Sequence, residues 1–356
     1  MDSWLLHRLT GGAVHATDVT NASRTLFFNI HSLEWDPTLL RILEVPSITL
    51  PQVHPSAYVF GESTFGGLFG RPVPITALVG DSHSAMFGER CFHTGEAKAT
   101  LGTGSSVLIN AGSSVPPLGP SAMSTIGFGL KDGVHYALEG IVVSAGSILT
   151  WLGRDLGFFD HPSEIDSIVG ELDSSGGVSV IPGHAGLGAP FWKMDAKGSI
   201  TGLTFGSTRA HILRAALECI PYQIRAILDA VQKESGVRCS RMRADGGISR
   251  NEFVVRWLAN TLRIPVHTMD TADVTGLGAA LLAGLGAGIY SGLEEIAQLP
   301  IGESIREPED HEQGEPARKN ERTEHPALAG YRQWHTEMVR CVTSPHEFSR
   351  NSDTDE

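Results

Sequence analysis

Three short stretches of this 356-residue sequence pair glycine with side chains that can accept protons or hold anions, and a fourth is rich in glycine alone. The first is Gly80-Asp81-Ser82-His83-Ser84-Ala85-Met86-Phe87-Gly88, directly after the apolar run Ile75-Thr76-Ala77-Leu78-Val79. That run predicts a buried strand, and polar residues at the carboxyl end of such a strand are where α/β folds place their chemistry. A carboxylate there, among glycine and small polar residues, is accessible yet partly desolvated. It is suited to take a proton from a hydroxyl while that oxygen attacks a γ-phosphate. Asp81 before Ala85-Met86-Phe87 is also suited to cap a helix, and the residues alone leave both roles open.

The second stretch is Gly102-Thr103-Gly104-Ser105-Ser106. Glycines at a hairpin tip let successive N–H groups face an anion, with the hydroxyls as further donors; an ordinary hairpin turn explains the same residues. It is not a Walker A loop, since no Gly-Lys-Ser/Thr follows. Val107 at the third glycine position, with a strand after it, argues against a dinucleotide fingerprint. In the third, Asp245-Gly246-Gly247-Ile248-Ser249-Arg250-Asn251-Glu252, Ser249 and Glu252 predict a capping box for the next helix. The glycines there admit a flat base or a phosphate, or merely make a tight strand-to-helix connection. The fourth, Gly276-Leu277-Gly278-Ala279-Ala280, follows the polar Thr271-Ala272-Asp273-Val274-Thr275 rather than an apolar strand. Its small residues read as close helix packing.

The elements that must position these residues follow from periodicity. Residues 1–90 mix short helical and loop signals with proline-rich stretches at 46–55 and 72–74. Residues 97–101 and 106–110 predict two strands of a hairpin around the second glycine turn. Residues 136–138 predict a short third strand, and Ile148, Trp151, Leu152 and Leu156 a helix starting near Ala145-Gly146. Residues 165–208 read as irregular and glycine-rich, ending in a strand at 199–203. Leu213, Leu217, Ile220, Ile224, Ile227 and Val231 mark a long amphipathic helix that Pro221 should kink. Next come a strand at 241–244, a helix bearing Phe253, Trp257 and Leu262, a strand at 264–268 and a small-residue helix at 276–288. Residues 303–325, charged and proline-containing, predict a linker; 327–342 form a terminal helix and 344–356 a disordered tail.

Composition narrows the classes. Hydrophobic residues make up 41% and charged ones 19%, which is globular, and the length suits about two domains. A net charge of −13 provides no basic stripe for a nucleic acid, although amides and a cation can still hold a nucleotide's phosphates. Four scattered cysteines, Cys91, Cys219, Cys239 and Cys341, form neither a zinc site nor a disulfide framework. The N-terminus carries no signal-peptide core, and the apolar run 276–290 falls short of the ~20 residues a membrane span needs. The expectation is a soluble, cytoplasmic protein.

Taken together, the motifs resemble the FGGY carbohydrate kinases, and among them the glycerol kinases. Gly198-Ser199-Ile200-Thr201-Gly202-Leu203, seven residues, then His211-Ile212-Leu213-Arg214-Ala215-Ala216-Leu217-Glu218 fits the family's C-terminal signature at every defined position. Thr20-Asn21-Ala22-Ser23-Arg24-Thr25, Tyr136-Ala137-Leu138-Glu139-Gly140 and Gly186-Leu187-Gly188-Ala189-Pro190 look like glycerol kinase as well. The resemblance implies an α/β, actin/hexokinase-like (ribonuclease H-like) kinase fold whose second domain is complete and whose first is incomplete. On that pattern residues 1–90 are the end of the N-terminal domain, 91–302 the nucleotide-binding C-terminal domain, 303–325 a linker and 326–343 a terminal helix.

Carried over by position, the resemblance makes Asp81 the catalytic base, with Asp81 and Ser82 at the substrate and Thr103 at the nucleotide phosphates. Gly146 and Thr150 border the nucleotide, and Gly247 and Asn251 hold its adenosine. The implied ligands are ATP, Mg²⁺ and a small polyol, with no nucleic acid, no membrane span, and a homo-oligomer left open. Ser82 and Thr150 each stand where the family often has glutamine. The family's Asp-x-Gly-Thr phosphate turn has no counterpart here, which implies a fragment inactive by itself. The implied activity is ATP-dependent phosphorylation of glycerol or a similar polyol. The alternatives are an inert remnant that only binds nucleotide or a partner, and a kinase of a four- or five-carbon polyol.

Overall fold

The computed structural model describes residues 1–45, 49–117, 119–271, 273–309 and 324–343. Its first part is built of short elements: α1 (Asp2–Leu9), β1 (Ala16–Asp18), α2 (Val19–Ala22), β2 (Phe28–Asn29), β3 (Glu34–Trp35) and α3 (Pro37–Ile42). β4 (Gln52–His54), β5 (Ala57–Ser63), β6 (Val73–Ala77) and α4 (Asp81–Gly88) complete it. Aspartates cap two of the helices in this first part. Asp18 accepts from the amides of Thr20 and Asn21, and Asp36 from those of Thr38 and Leu39, satisfying donors that a first turn leaves open. β1 pairs in parallel with β4, and β5 antiparallel with β6.

A seven-stranded sheet dominates the remainder. β7 (Glu96–Leu101), β8 (Ser105–Gly112), β9 (Met123–Leu130) and β10 (Gly133–Val142) are antiparallel neighbours in the order β7-β8-β10-β9. α5 (Gly146–Arg154), α6 (Ile165–Gly170), the pair β11 (Ser179–Ile181) and β12 (Ser199–Thr201), and α7 (Arg209–Ser235) follow. β13 (Arg241–Asp245) then joins the sheet in parallel beside β7. After α8 (Glu252–Leu262), β14 (Val266–Met269) lies parallel to β13. α9 (Val274–Gly286), α10 (Leu293–Gln298), β15 (Glu303–Arg306) and α11 (Pro326–Thr343) complete the described chain.

Period-two alternation gives the sheet two buried faces. Ala97, Ala99 and Leu101 of β7 join Val107 and Ile109 under α5, α7, α8 and α11. On the other face Leu108, Phe128 and Ala137 meet Met86 and Phe87 of α4 and Leu281 and Leu282 of α9. Burying each such Leu or Phe is worth about 1.5–3 kcal/mol, so the sheet is closed on both sides by its own side chains. α4 and α9 approach each other through glycine: a Cβ on Gly278 would lie 1.8 Å from the Ser84 carbonyl oxygen. The small residues of that stretch are therefore packing residues.

Several expectations change. The charged run from Glu303 begins not as a linker but as β15, because His267 and Arg243 engage Glu303 and draw it onto the sheet edge beside β14. Glu309 continues the attachment through hydrogen bonds with Asn260; residues 310–323 and the tail 344–356 lie outside the described residues. The expected capping box of Ser249 and Glu252 is absent: Asn251 caps α8 by accepting from the Val254 amide, and the Ser249 hydroxyl donates to the Gly246 carbonyl. Residues 165–208 contain α6, β11 and β12, and the third strand extends over Gly133–Val142 with β9 beside it. As expected, α7 is one long helix with Pro221 inside it.

Candidate active site

The candidate site is assembled by strand register. Thr100 on β7 lies opposite Asp245 on the parallel β13, so the turns leaving these strands, at Gly102 and Gly246, emerge side by side. Gly246 holds φ at 89°, and a Cβ on it would sit 2.5 Å from the Leu101 carbonyl oxygen, so only glycine fits. Ser105 on β8 lies opposite Val142 on β10, which delivers the start of α5 to the same turn. There the amide of Gly146 donates to the Gly102 carbonyl at 2.9 Å, and those of Ala145 and Ser147 donate to the Thr103 carbonyl at 3.0 Å. Three segments distant in sequence are thus fastened at one point.

The result is a cavity of 360 Å³. Gly102, Thr103, Gly146, Thr150 and Gly247 bound it, so four of the five residues expected at a nucleotide come together. A Cβ on Gly247 would meet open space, which means that the absent side chain is what leaves room there. Leu149, Phe159, Pro162, Ile165 and Ile248 form its apolar wall. Sequence reading missed those wall residues: Phe159, Pro162 and Ile165 lie in an aperiodic stretch, and only Leu149 had a helical neighbourhood to announce it. The combination, apolar walls together with glycines and threonines, suits a planar ring that carries a polar group. A larger groove of 530 Å³ lies across the Gly246–Gly247 turn, but its lining is mainly polar and charged and offers no such walls.

Two of the expected side chains have other commitments. The Thr150 hydroxyl donates to the Gly146 carbonyl within its own helix. Asn251, at the N-cap of α8, donates from Nδ2 to Asp166 at 2.6 Å, and it does not line the cavity.

Asp81 and Ser82 stand apart from the cavity, at the head of α4. The N-cap position belongs to Gly80, and Asp81 is the first helical residue, its Oδ1 accepting only from the adjacent Ser82 amide at 2.6 Å. The carboxylate is exposed, which a proton acceptor for an incoming substrate requires and a buried cap does not. Next to it His83 is buried, and desolvation together with the positive charges of Arg24 and Lys98 pushes its pKa down to about 4. Among the described residues no group of three His, Cys, Asp or Glu side chains could hold a metal ion, and no helix is long and apolar enough to cross a membrane.

Comparison with known proteins identifies the family and the fold. The glycerol kinase of Symbiobacterium thermophilum is 44% identical over 297 residues, which make up 83% of this chain and 59% of that protein. The crystal structure of Plasmodium falciparum glycerol kinase with ADP superposes with a TM-score of 0.85 at 32% identity, over 96% of this chain and 66% of that one. Ligand-bound xylulose kinase from Lactobacillus acidophilus, 23% identical, shares the fold with a TM-score of 0.82 over 98% of this chain and 68% of that one. The chain therefore spans about 60% of the length of the curated relative it matches. Residues 1–88 match the model of the FGGY N-terminal domain and residues 97–287 that of the C-terminal domain, the break falling between the helix that carries Asp81 and the first strand of the large sheet. With both models matched in order and the actin/hexokinase-like α/β architecture in place, this chain belongs to the FGGY family of carbohydrate kinases.

Proposed function

We propose that this chain carries the nucleotide cavity and the general base of a kinase that phosphorylates glycerol, or a polyol of similar size, from ATP. The observation that carries this reading is the convergence of Thr103, Gly146 and Gly247 on one apolar-walled cavity, while α4 presents an exposed Asp81 at its head. In the proposed reaction the adenine ring enters between Leu149, Ile248 and Phe159, and the phosphates extend toward Gly102-Thr103. Asp81 takes the proton of a primary hydroxyl as its oxygen bonds to the γ-phosphorus. The bond from that phosphorus to the bridging oxygen breaks, leaving ADP and a phosphate monoester. The described residues supply no cage for Mg²⁺, which would come bound to the phosphates and its own waters, as this ion prefers.

We further propose that the 356-residue chain binds nucleotide but does not turn over alone, since phosphoryl transfer depends on positioning and charge neutralisation from more groups than these. The test is calorimetry with ADP and ATP, followed by a kinase assay of the chain alone and of the chain mixed with the N-terminal portion of a glycerol kinase. Nucleotide binding without turnover is expected for the chain alone, and turnover for the mixture. Asp81→Asn should then lower kcat by about 10²–10⁴-fold and leave nucleotide affinity intact. No binding at millimolar nucleotide would dismiss the cavity's role. Glycerol phosphorylation by the chain alone would overturn its proposed inactivity.

A further inference from the structure

The stretch Thr20-Asn21-Ala22-Ser23-Arg24 has no place in the reaction just described, yet its polar side chains reach both halves of the site. The Thr20 hydroxyl lies 2.8 and 3.0 Å from the two oxygens of Asp18 and donates its one proton there. Its lone pair accepts the amide of Gly80 at 2.9 Å, across 60 residues of chain. Asp18 cannot swing to follow a moving partner: it is 0% exposed and also holds the Ser56 hydroxyl, the Thr20 and Asn21 amides and the Asn21 side chain. Gly80 in turn begins α4, its carbonyl accepting from Ser84, and Asp81 is the next residue.

The following side chains extend the attachment. The Ser23 hydroxyl meets that of Thr125 at 3.0 Å, and Thr125 meets the buried His83 ring at 3.3 Å. Arg24 pairs with Glu139 at 2.7 Å, and Glu139 accepts from Ser106, three residues beyond Thr103 on the hairpin. One short segment therefore holds the head of α4 on one side and the glycine hairpin on the other.

We propose that residues 18–24 are a clamp that registers Asp81 against the nucleotide hairpin, with Thr20 as a positioning residue that acts through the Gly80 amide. The functional half of this proposal rests on Asp81 being the base. The geometry matters because a proton acceptor works only within hydrogen-bond reach, and a misplacement of about 1 Å costs up to 10²-fold. Thr20→Val replaces the hydroxyl with a methyl group of the same shape, whereas Thr20→Ser retains it.

The first measurement requires no turnover: hydrogen exchange at the Gly80 amide in the ¹⁵N-glycine-labelled 356-residue chain. Thr20→Val should speed exchange at Gly80 by roughly 10-fold or more, with Thr20→Ser near wild type and Gly140, in the interior strand β10, unchanged. Unaltered Gly80 protection in Thr20→Val would overturn the clamp. The second is the kinase assay of the mixture described above. Thr20→Val should lower kcat by roughly 10- to 100-fold with KM for ATP unchanged, Thr20→Ser should restore it, and Thr20→Val should cost nothing further in an Asp81→Asn background. A loosened Gly80 with unchanged kcat would overturn the positioning role. Indifference of kcat to Asp81→Asn would instead sink the reading of the base, while the exchange result still decides the clamp.

Discussion

Glu89 should be a liability that a single atom change removes. It is the C-cap of α4, 0% exposed, and neither carboxylate oxygen has a hydrogen-bond partner. Three effects disfavour its ionised form. Burial is the largest and pushes its pKa well above the ordinary range, and the charge of Asp245 adds to it. The negative end of the α4 dipole acts in the same direction. Lys98 and Arg243 oppose these effects without overcoming them, and the Lys98 ammonium is already donating to Thr100. The folded chain therefore keeps the Glu89 proton to higher pH than the unfolded chain does. Above the ordinary glutamate value of 4.5 the folded state binds more protons, and stability falls as pH rises, by about 1.4 kcal/mol per pH unit, until the raised folded pKa is passed.

Glu89→Gln keeps the shape and removes the ionisation. Its advantage over wild type should grow by about 1.4 kcal/mol per unit through that window and then level off. Asp18 and Glu218, also raised by burial, give both proteins a common slope, so the difference between the two proteins isolates Glu89. The assay is urea denaturation at pH 5, 6, 7 and 8 with free energies extrapolated to water. Parallel pH profiles, or a variant less stable than wild type at pH 8, would refute the argument that Glu89 is held neutral.

Three further outcomes follow from the glycines. Gly247→Val should abolish nucleotide binding measured by calorimetry while leaving the thermal midpoint nearly unchanged, because the residue borders the cavity and an added Cβ would meet no other atom within 4 Å. Gly246→Ala, one residue away, should do the reverse first: φ of 89° and the Leu101 carbonyl at 2.5 Å predict a loss of roughly 1–3 kcal/mol in urea denaturation. Gly278→Ala should separate α4 from α9, since the added carbon would meet the Ser84 backbone rather than a flexible side chain. A cost of about 1–3 kcal/mol is expected in the same measurement, together with weaker protection of α4 amides.

Much of this protein was legible where the physics is local. The hairpin around Gly102–Ser105, the helix beginning at Gly146 and the strand–turn–helix at Asp245–Gly247 follow from alternation, helical spacing and glycine turns, and each element lies within a few residues of those signals. The family signature around Gly198 and His211 likewise requires only the order of residues, and it pointed to the fold before any packing was known. Local rules also set their own limit. Ser249 and Glu252 satisfied the capping-box spacing, but the competing Asn251, two residues on, took the cap.

What only the tertiary structure decided is register and burial across long separations. Nothing near Thr100 specifies Asp245 as its neighbour; that pairing arises because the faces of β7 and β13 must be covered together, and it places the two glycine turns at one cavity. The charged run at Glu303 became a strand because Arg243 and His267 offered its carboxylate partners at a sheet edge, a tertiary gain that outweighed its polar composition. Thr20 looked like part of a motif without a task until the fold brought its hydroxyl to the Gly80 amide. Glu89 followed the small and apolar residues of α4 with no sign that it would be sealed away without a partner. Side-chain type and spacing determine what a residue can do; which group it faces depends on how the whole chain buries its apolar surface.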